Sequence, residues 1–174
     1  MNRKDAGFTL AELAVTLSVL AIILAIALPA FGTMLQDARA SSTYHLLTTS
    51  LSAARLRAIK DNAAVTVCPS TDGRTCRSDE IWNDGWILYR DPDHDDQPAS
   101  ATDVIQRFYG VDNGLQLRST AGRTRVRFQP TGWSFGHNLS IHLCRGDDFL
   151  GSVIVNNAGR PRTERQDEAA PCPF

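Results

Sequence analysis

Gly159-Arg160-Pro161-Arg162 sets two guanidiniums two residues apart behind a glycine. A planar guanidinium matches a pair of phosphate oxygens with two parallel hydrogen bonds, so these residue types point to a phosphate-bearing anion. A flexible Gly159 would present both side chains, and Pro161 would stiffen the stretch between them. Arg165 extends the run, opposed by Glu164, Asp167 and Glu168. A solvated arginine-rich tail without any ligand accounts for the same residues, and on residue types alone it is the simpler reading. A second basic group is Arg123, Arg125 and Arg127, which alternate with Thr124, Val126 and Phe128. That spacing puts three like charges on one strand face, where they repel unless solvated or neutralised by an anion. Such a face is ordinarily solvent-facing.

Other chemistry is thin. Asp91-Pro92-Asp93-His94-Asp95-Asp96 has alternate carboxylates, as calcium loops do, but Pro92 and the missing downstream Gly and Glu break that pattern. A solvated acidic loop is the expectation, on a side that a polyanion would avoid. His45, His94, His137 and His142 stand in no Ser/His/Asp spacing, phosphate loop or His-Glu-x-x-His motif. His142 falls in a candidate strand and reads as structural. Trp82, Trp86 and Trp133 read as core or loop-packing residues, and no aromatic base-stacking platform is expected. The expectation is a non-enzyme with no cofactor and no metal.

The elements that must position these groups fit a chain of 174 residues with 18 Lys+Arg against 19 Asp+Glu. That length suits one ordinary domain, and a formal charge of -1 excludes a globally basic coat while leaving local basic patches open. From Leu13 to Phe31 there is no charge, and at about 1.5 Å per helical residue this stretch spans roughly 28 Å, close to a bilayer's hydrocarbon core. Arg3 and Lys4 ahead of it predict a cytoplasmic leader, with the remainder across the membrane. A cleaved secretory signal with Ala25-Ile26-Ala27 as its site is the alternative. Against it stand the length of the apolar stretch and Glu12 just inside the apolar segment, because a carboxylate in lipid needs a cation.

Beyond Phe31 the helix is expected to continue to about Asp61, with Tyr44, Leu47, Leu51, Ala54 and Ala58 as one apolar stripe and Asn62 as its end. Candidate strands follow at 65–68, 86–90, 104–109, 115–118, 123–128, 139–144 and 149–155, between Gly-containing turns. A long helix followed by closely spaced antiparallel strands is an α+β arrangement. The last residues read as a tail over the sheet. Translocation would put Cys68, Cys76, Cys144 and Cys172 in an oxidising compartment, where three pairings are possible. Local proximity favours Cys68–Cys76, which leaves Cys144–Cys172 to tie the tail down. No Cys-x-x-Cys pair is present for zinc.

Gly7-Phe8-Thr9-Leu10-Ala11-Glu12-Leu13 resembles the type III signal of type IV pilins and type II secretion pseudopilins. The resemblance implies cleavage by prepilin peptidase between Gly7 and Phe8 and N-methylation of Phe8. It also implies that Glu12 pairs with a neighbouring subunit's N-terminal amine during assembly. Pro29 matches the family's helix proline. Val67-Cys68-Pro69-Ser70, Asp72-Gly73, Cys76, Trp82, Gly85-Trp86, Asp91, Phe128-Gln129-Pro130-Thr131-Gly132, Leu143-Cys144 and 154–160 resemble the branch holding FimT-type minor pilins and H-type minor pseudopilins. The implied architecture is a pilin-like fold. Its parts would be a leader at 1–7, a transmembrane half-helix at 8–31, an amphipathic half-helix at 32–61, a β-rich domain at 62–158 and an Arg-containing tail at 159–174.

Gly159-Arg160-Pro161-Arg162 is similar to the Gly-Arg-x-Arg motif of FimT-type minor pilins, which bind DNA in natural transformation. The resemblance implies non-specific contact with the DNA phosphate backbone through Arg160, Arg162 and Arg165, with a weaker contribution from Arg123, Arg125 and Arg127. Three to six phosphate contacts would give a salt slope of roughly -3 to -5. Other implied partners are pilin subunits, prepilin peptidase and the inner-membrane assembly platform. The expected location is single-pass in the inner membrane, with a periplasmic C-terminal domain that enters the pilus. An H-type pseudopilin of a type II secretion system, or a minor pilin that primes assembly without touching DNA, fits the anchor and the fold equally well.

Overall fold

The computed structural model describes Gly7 and residues 9–111 and 114–174. Phe8, the expected cleavage and methylation position, and residues 1–6 of the leader lie outside the described residues. The chain divides into two units, Met1–Arg39 and Ala40–Phe174, which are taken separately.

Helix α1 is assigned over Leu10–Asp61. Thr9-Leu10-Ala11-Glu12 has the capping-box spacing, and the Glu12 backbone N–H donates to the Thr9 hydroxyl at 3.2 Å. The helix therefore starts at Leu10, two residues after Phe8, and Glu12 in its first turn faces the positive end of the helix dipole. In the first unit the apolar side chains from Leu13 to Phe31 are exposed, as expected of a lipid-facing segment. Thr16 and Ser18 turn their hydroxyls onto the Leu13 and Ala14 carbonyls, so neither leaves a polar group unpaired. Pro29 lies inside the helix.

In the second unit the helix buries Ala40, Thr43, Tyr44, Leu47, Ser50, Leu51, Ala54 and Ala58, a three- and four-residue repeat that contains the whole expected stripe. It stops as the sequence predicts. Asn62 takes φ of 50°, its N–H bonds the Ile59 carbonyl, and the Ala63 N–H bonds the Ala58 carbonyl. Together these form a Schellman cap that satisfies the last free carbonyls.

Two antiparallel sheets follow. β1 (Val65–Pro69), β2 (Gly85–Arg90), β3 (Val104–Tyr109) and β5 (Val126–Phe128) form the first, in the order β3-β2-β1-β5. β4 (Leu115–Ser119), β6 (Leu139–Arg145), β7 (Asp148–Val155) and β8 (Pro161–Arg165) form the second, in the order β4-β6-β7-β8. One face of each sheet joins the helix stripe in a shared core. Val65, Val67, Trp86, Leu88, Val126 and Phe128 come from the first sheet, and Leu117, Ile141, Leu143, Val153 and Val155 from the second. Trp82 and Trp86 are fully buried, as expected, and the Trp86 indole N–H donates to Ser50 Oγ at 2.9 Å. The other face of the first sheet carries a smaller cluster of Cys68, Cys76, Ile87 and Tyr89.

Two sequence expectations need correction. The strand expected at 123–128 begins only at Val126, because Thr120–Arg123 closes a turn through Gly122, with Arg123 N–H on the Thr120 carbonyl at 2.9 Å. The segment expected as a tail over the sheet contains a strand of its own, Pro161–Arg165, the eighth. Disulfides join Cys68 to Cys76, with Cα atoms 5.5 Å apart, and Cys144 to Cys172, with Cα atoms 5.9 Å apart.

Candidate functional site

β8 pairs with β7 from Gly151↔Arg165 to Val155↔Pro161 and forms the edge of the second sheet. Edge strands tolerate Pro at the first residue and favour charge, which blocks pairing with another chain. Arg-Thr-Glu-Arg therefore suits this position although its composition does not announce a strand. Residues 156–159 make the turn into it, with the Gly159 N–H on the Asn156 carbonyl at 2.8 Å. Gly159 has φ of 67°, and any Cβ there would collide with the Gly132 carbonyl oxygen. Its role is thus close backbone approach and a left-handed turn, in place of the flexible presentation expected from sequence.

Strand alternation divides the arginines. Arg162 and Glu164 share the outer face of the sheet. Arg162 is exposed to 52%, and its Nε and Nη2 both lie 2.8 Å from Glu164 Oε1. Arg165 is on the inner face, where Nη2 donates to Ser41 Oγ at 3.0 Å and the guanidinium lies 5.8 Å from the Tyr44 ring centroid. Burial pushes the Tyr44 hydroxyl up to about 12, which the nearby Arg165 charge partly offsets. Arg165 therefore stands apart from Arg162. Arg160, one residue before the strand, is exposed, and its backbone N–H donates to Asn156 Oδ1 at 3.2 Å.

The Arg123, Arg125 and Arg127 face is not a bare basic stripe. Arg127 is buried to 6% exposure. Its Nε donates to Asp91 Oδ2 at 2.7 Å and to Thr66 Oγ1 at 3.2 Å, and its Nη2 donates to Asp96 Oδ1 at 2.7 Å. Arg125 Nη1 donates to the Asp96 carbonyl at 2.6 Å and lies 3.1 Å from Asp96 Oδ1. Asp91 and Asp96 supply the neutralising anions, while residues 92–97 of the acidic loop stay exposed, as expected of a solvated loop. Among the described residues no group of three metal-capable side chains is gathered there or elsewhere.

Arg123 is different. It is exposed, and its Nη1 donates to the Gly136 carbonyl at 2.6 Å. With Arg162 it lines an open polar cleft of about 510 Å³, together with Asn138, Ser140, Asn156 and Asn157. The structure thus brings together Arg123 and Arg162 at one cleft, leaves Arg160 exposed two residues before Arg162, and sets Arg125, Arg127 and Arg165 elsewhere. Amide N–H₂ groups and guanidiniums are donors suited to phosphate oxygens. The asparagines were missed in the sequence, though Asn156-Asn157 immediately before the Gly159 turn marked them.

The loop between β5 and β6 borders this cleft. Trp133 is 43% exposed and Phe135 60% exposed, so of the core or loop-packing roles expected for Trp133 the core role does not apply. Their rings stack at 4.8 Å with 10° between planes. The loop is pinned by Gln129 N–H on the Trp133 carbonyl (2.8 Å), Ser134 N–H on the Asn157 carbonyl (2.9 Å) and Arg55 Nε on the Gly132 carbonyl (3.0 Å). Nearby His137 is held below its ordinary pKa, first by burial and then by the Arg127 charge. His142, on the outer face of β6, is lowered by burial and lies 2.8 Å from Ser152 Oγ.

A family model described as type II transport protein GspH matches residues 44–159, and one described as the prokaryotic N-terminal methylation motif matches residues 2–28. No curated relative matches the chain in sequence. Among solved structures, the type IV minor pilin FimU of Pseudomonas aeruginosa strain PAO1 is similar in two crystal forms. In one it is 16% identical, covering 75% of this chain and 96% of FimU with a TM-score of 0.56. In the other it is 17% identical, covering 75% and 91% with a TM-score of 0.57. These likenesses show the pilin fold, a long N-terminal helix and antiparallel sheets. The methylation motif and the apolar helix fit single-pass anchoring in the inner membrane and assembly with other pilin subunits after prepilin peptidase processing. By its matched domain, together with its N-terminal methylation motif, the chain belongs to the type II transport protein GspH family.

Proposed function

We propose that this chain is a minor type IV pilin that binds DNA non-specifically during DNA uptake in natural transformation. The observation that carries the reading is the convergence of Arg162 and Arg123 on one polar cleft; Arg160, exposed and two residues before Arg162, completes the Gly-Arg-x-Arg motif. These three guanidiniums take the phosphate contacts, and the asparagine amides of the cleft add hydrogen bonds. Arg125, Arg127 and Arg165 serve folding instead, because carboxylates or the helix already hold them. In this reading prepilin peptidase cuts between Gly7 and Phe8, Phe8 is methylated, and Glu12 neutralises the new amine of a neighbouring subunit at the assembly platform.

The second reading is a purely structural subunit, either an H-type pseudopilin or an assembly-priming minor pilin. The bond pair from Arg162 to Glu164 favours it, since that guanidinium already has an anion. An Arg160→Gln/Arg162→Gln allele separates the two. DNA capture predicts a large loss of transformation with normal piliation. Unchanged transformation, or parallel loss of piliation or secretion, favours the structural subunit.

A further inference from the structure

We propose that the stacked Trp133–Phe135 pair is a base-stacking platform, which makes single-stranded DNA the preferred ligand of the arginine cleft. The inference rests on the DNA-binding reading and names its substrate class. Large aromatic rings are usually buried in a core of this size, yet these two are 43% and 60% exposed and stack on each other at 4.8 Å, nearly parallel. Both rings keep part of their aromatic surface open to solvent, and aromatic surface is what an unpaired base stacks on. A base inside a duplex already stacks on its neighbours and cannot reach such a surface without leaving the helix.

The platform is held in shape before any ligand arrives. The Gly132 N–H donates to the Gln129 carbonyl at 2.8 Å, the Ser134 N–H to the Asn157 carbonyl, and the His137 N–H to the Ser134 carbonyl at 3.1 Å. Its position relative to the basic groups is fixed by two links. Arg123 Nη1 bonds the Gly136 carbonyl within the same loop, and Gly159, next to Arg160, packs against the Gly132 carbonyl. A positively charged cleft that tracks a backbone, next to an aromatic surface that takes a base, is the arrangement used for single strands without sequence preference. A contact between pilin subunits is the competing use of the same rings, since Leu56 and Ile59 are also exposed and Ile59 lies beside Gly132.

The test measures anisotropy of fluorescent oligo(dT) and of a duplex of equal length with the full chain in nonionic detergent. The variants are Trp133→Ala/Phe135→Ala, Trp133→Leu/Phe135→Leu and Arg160→Gln/Arg162→Gln. The platform predicts that both aromatic variants lose about fivefold or more in oligo(dT) affinity and keep duplex affinity, the retained duplex binding showing an intact cleft. The arginine variant should lose both ligands. Unchanged oligo(dT) binding by the aromatic variants overturns the platform and leaves the DNA-binding reading standing; if such a variant also loses piliation, the rings are a subunit contact. Equal loss of both ligands by the aromatic variants also overturns it. Wild-type chain that binds neither ligand overturns both proposals.

Discussion

Replacing Arg127 by Met removes the cation from a buried ion pair, and the structure predicts how costly that is. The Arg127 side chain is 7% exposed and its partner Asp91 only 1%. Asp91 Oδ2 accepts from Arg127 Nε and Thr66 Oγ1, and its Oδ1 accepts the Asp95 N–H at 3.0 Å. After the substitution Asp91 keeps the hydroxyl and the N–H but loses the guanidinium paired with it. Stranding one member of a buried pair costs about 3–5 kcal/mol. For a domain of this size that corresponds to a Tm lower by about 10–15 °C. Asp91→Asn should cost less, because Arg127 keeps Asp96 at 2.7 Å, a carboxylate that is half exposed. The assay is chemical and thermal unfolding of the two single variants and of Arg127→Met/Asp91→Leu. The double variant should recover much of the loss, since an apolar pair of similar volume needs no desolvation. An Arg127→Met loss below about 1 kcal/mol, or a larger loss for Asp91→Asn, would refute the reasoning that the pair acts as a buried structural anchor.

Other outcomes are equally specific. Gly159→Ala should destabilise the second unit by more than about 1 kcal/mol, because φ of 67° and the Gly132 carbonyl both oppose a Cβ; urea midpoints check it. Cys144→Ser/Cys172→Ser should cost about 2–4 kcal/mol and free the last residues from the β6 strand, read by unfolding and by proteolysis near Pro171. His137 and His142 have folded pKa values below the unfolded 6.5, so their neutral forms support the fold. Their contribution is complete above about pH 6.5 and is lost as pH falls through the lower folded values, and unfolding midpoints between pH 7.5 and pH 5 should decline accordingly. A flat profile in that window contradicts the burial assigned to the two rings.

Elements governed by local rules were legible in the sequence. The stripe Tyr44–Ala58 reports a single buried helix face, Asn62 reports the cap, and the alternating runs from Val65 to Val155 report strands whose ends differ by only a residue or two, apart from β5. Non-local effects were not legible. β8 was hidden because Pro161–Arg165 has low strand propensity, and only pairing with β7 makes it a strand. Arg127 looked solvent-facing because nothing in its own segment shows that the Asp91–Asp96 loop, distant in sequence, folds back onto it. The Arg123–Arg162 cleft joins residues from a turn and an edge strand, so motif spacing placed Arg165 with Arg162 while the sheet put it on the opposite face. Trp133 read by type as a core or loop-packing residue, and the turn at 129–133 decides for the exposed loop.

The most direct test of DNA capture is the salt dependence of duplex affinity for the wild-type chain and for Arg160→Gln/Arg162→Gln. Three contacts, from Arg123, Arg160 and Arg162, predict a log–log slope of about -2.7, the shallow end of the three-to-six-contact range expected from sequence. Two fewer contacts predict a slope of about -0.9 for the variant. A wild-type slope near -2.7 that drops by about 1.8 in the variant is the predicted result. Equal slopes in the two proteins, or no duplex binding at low salt, would contradict the account and leave a structural subunit of the filament.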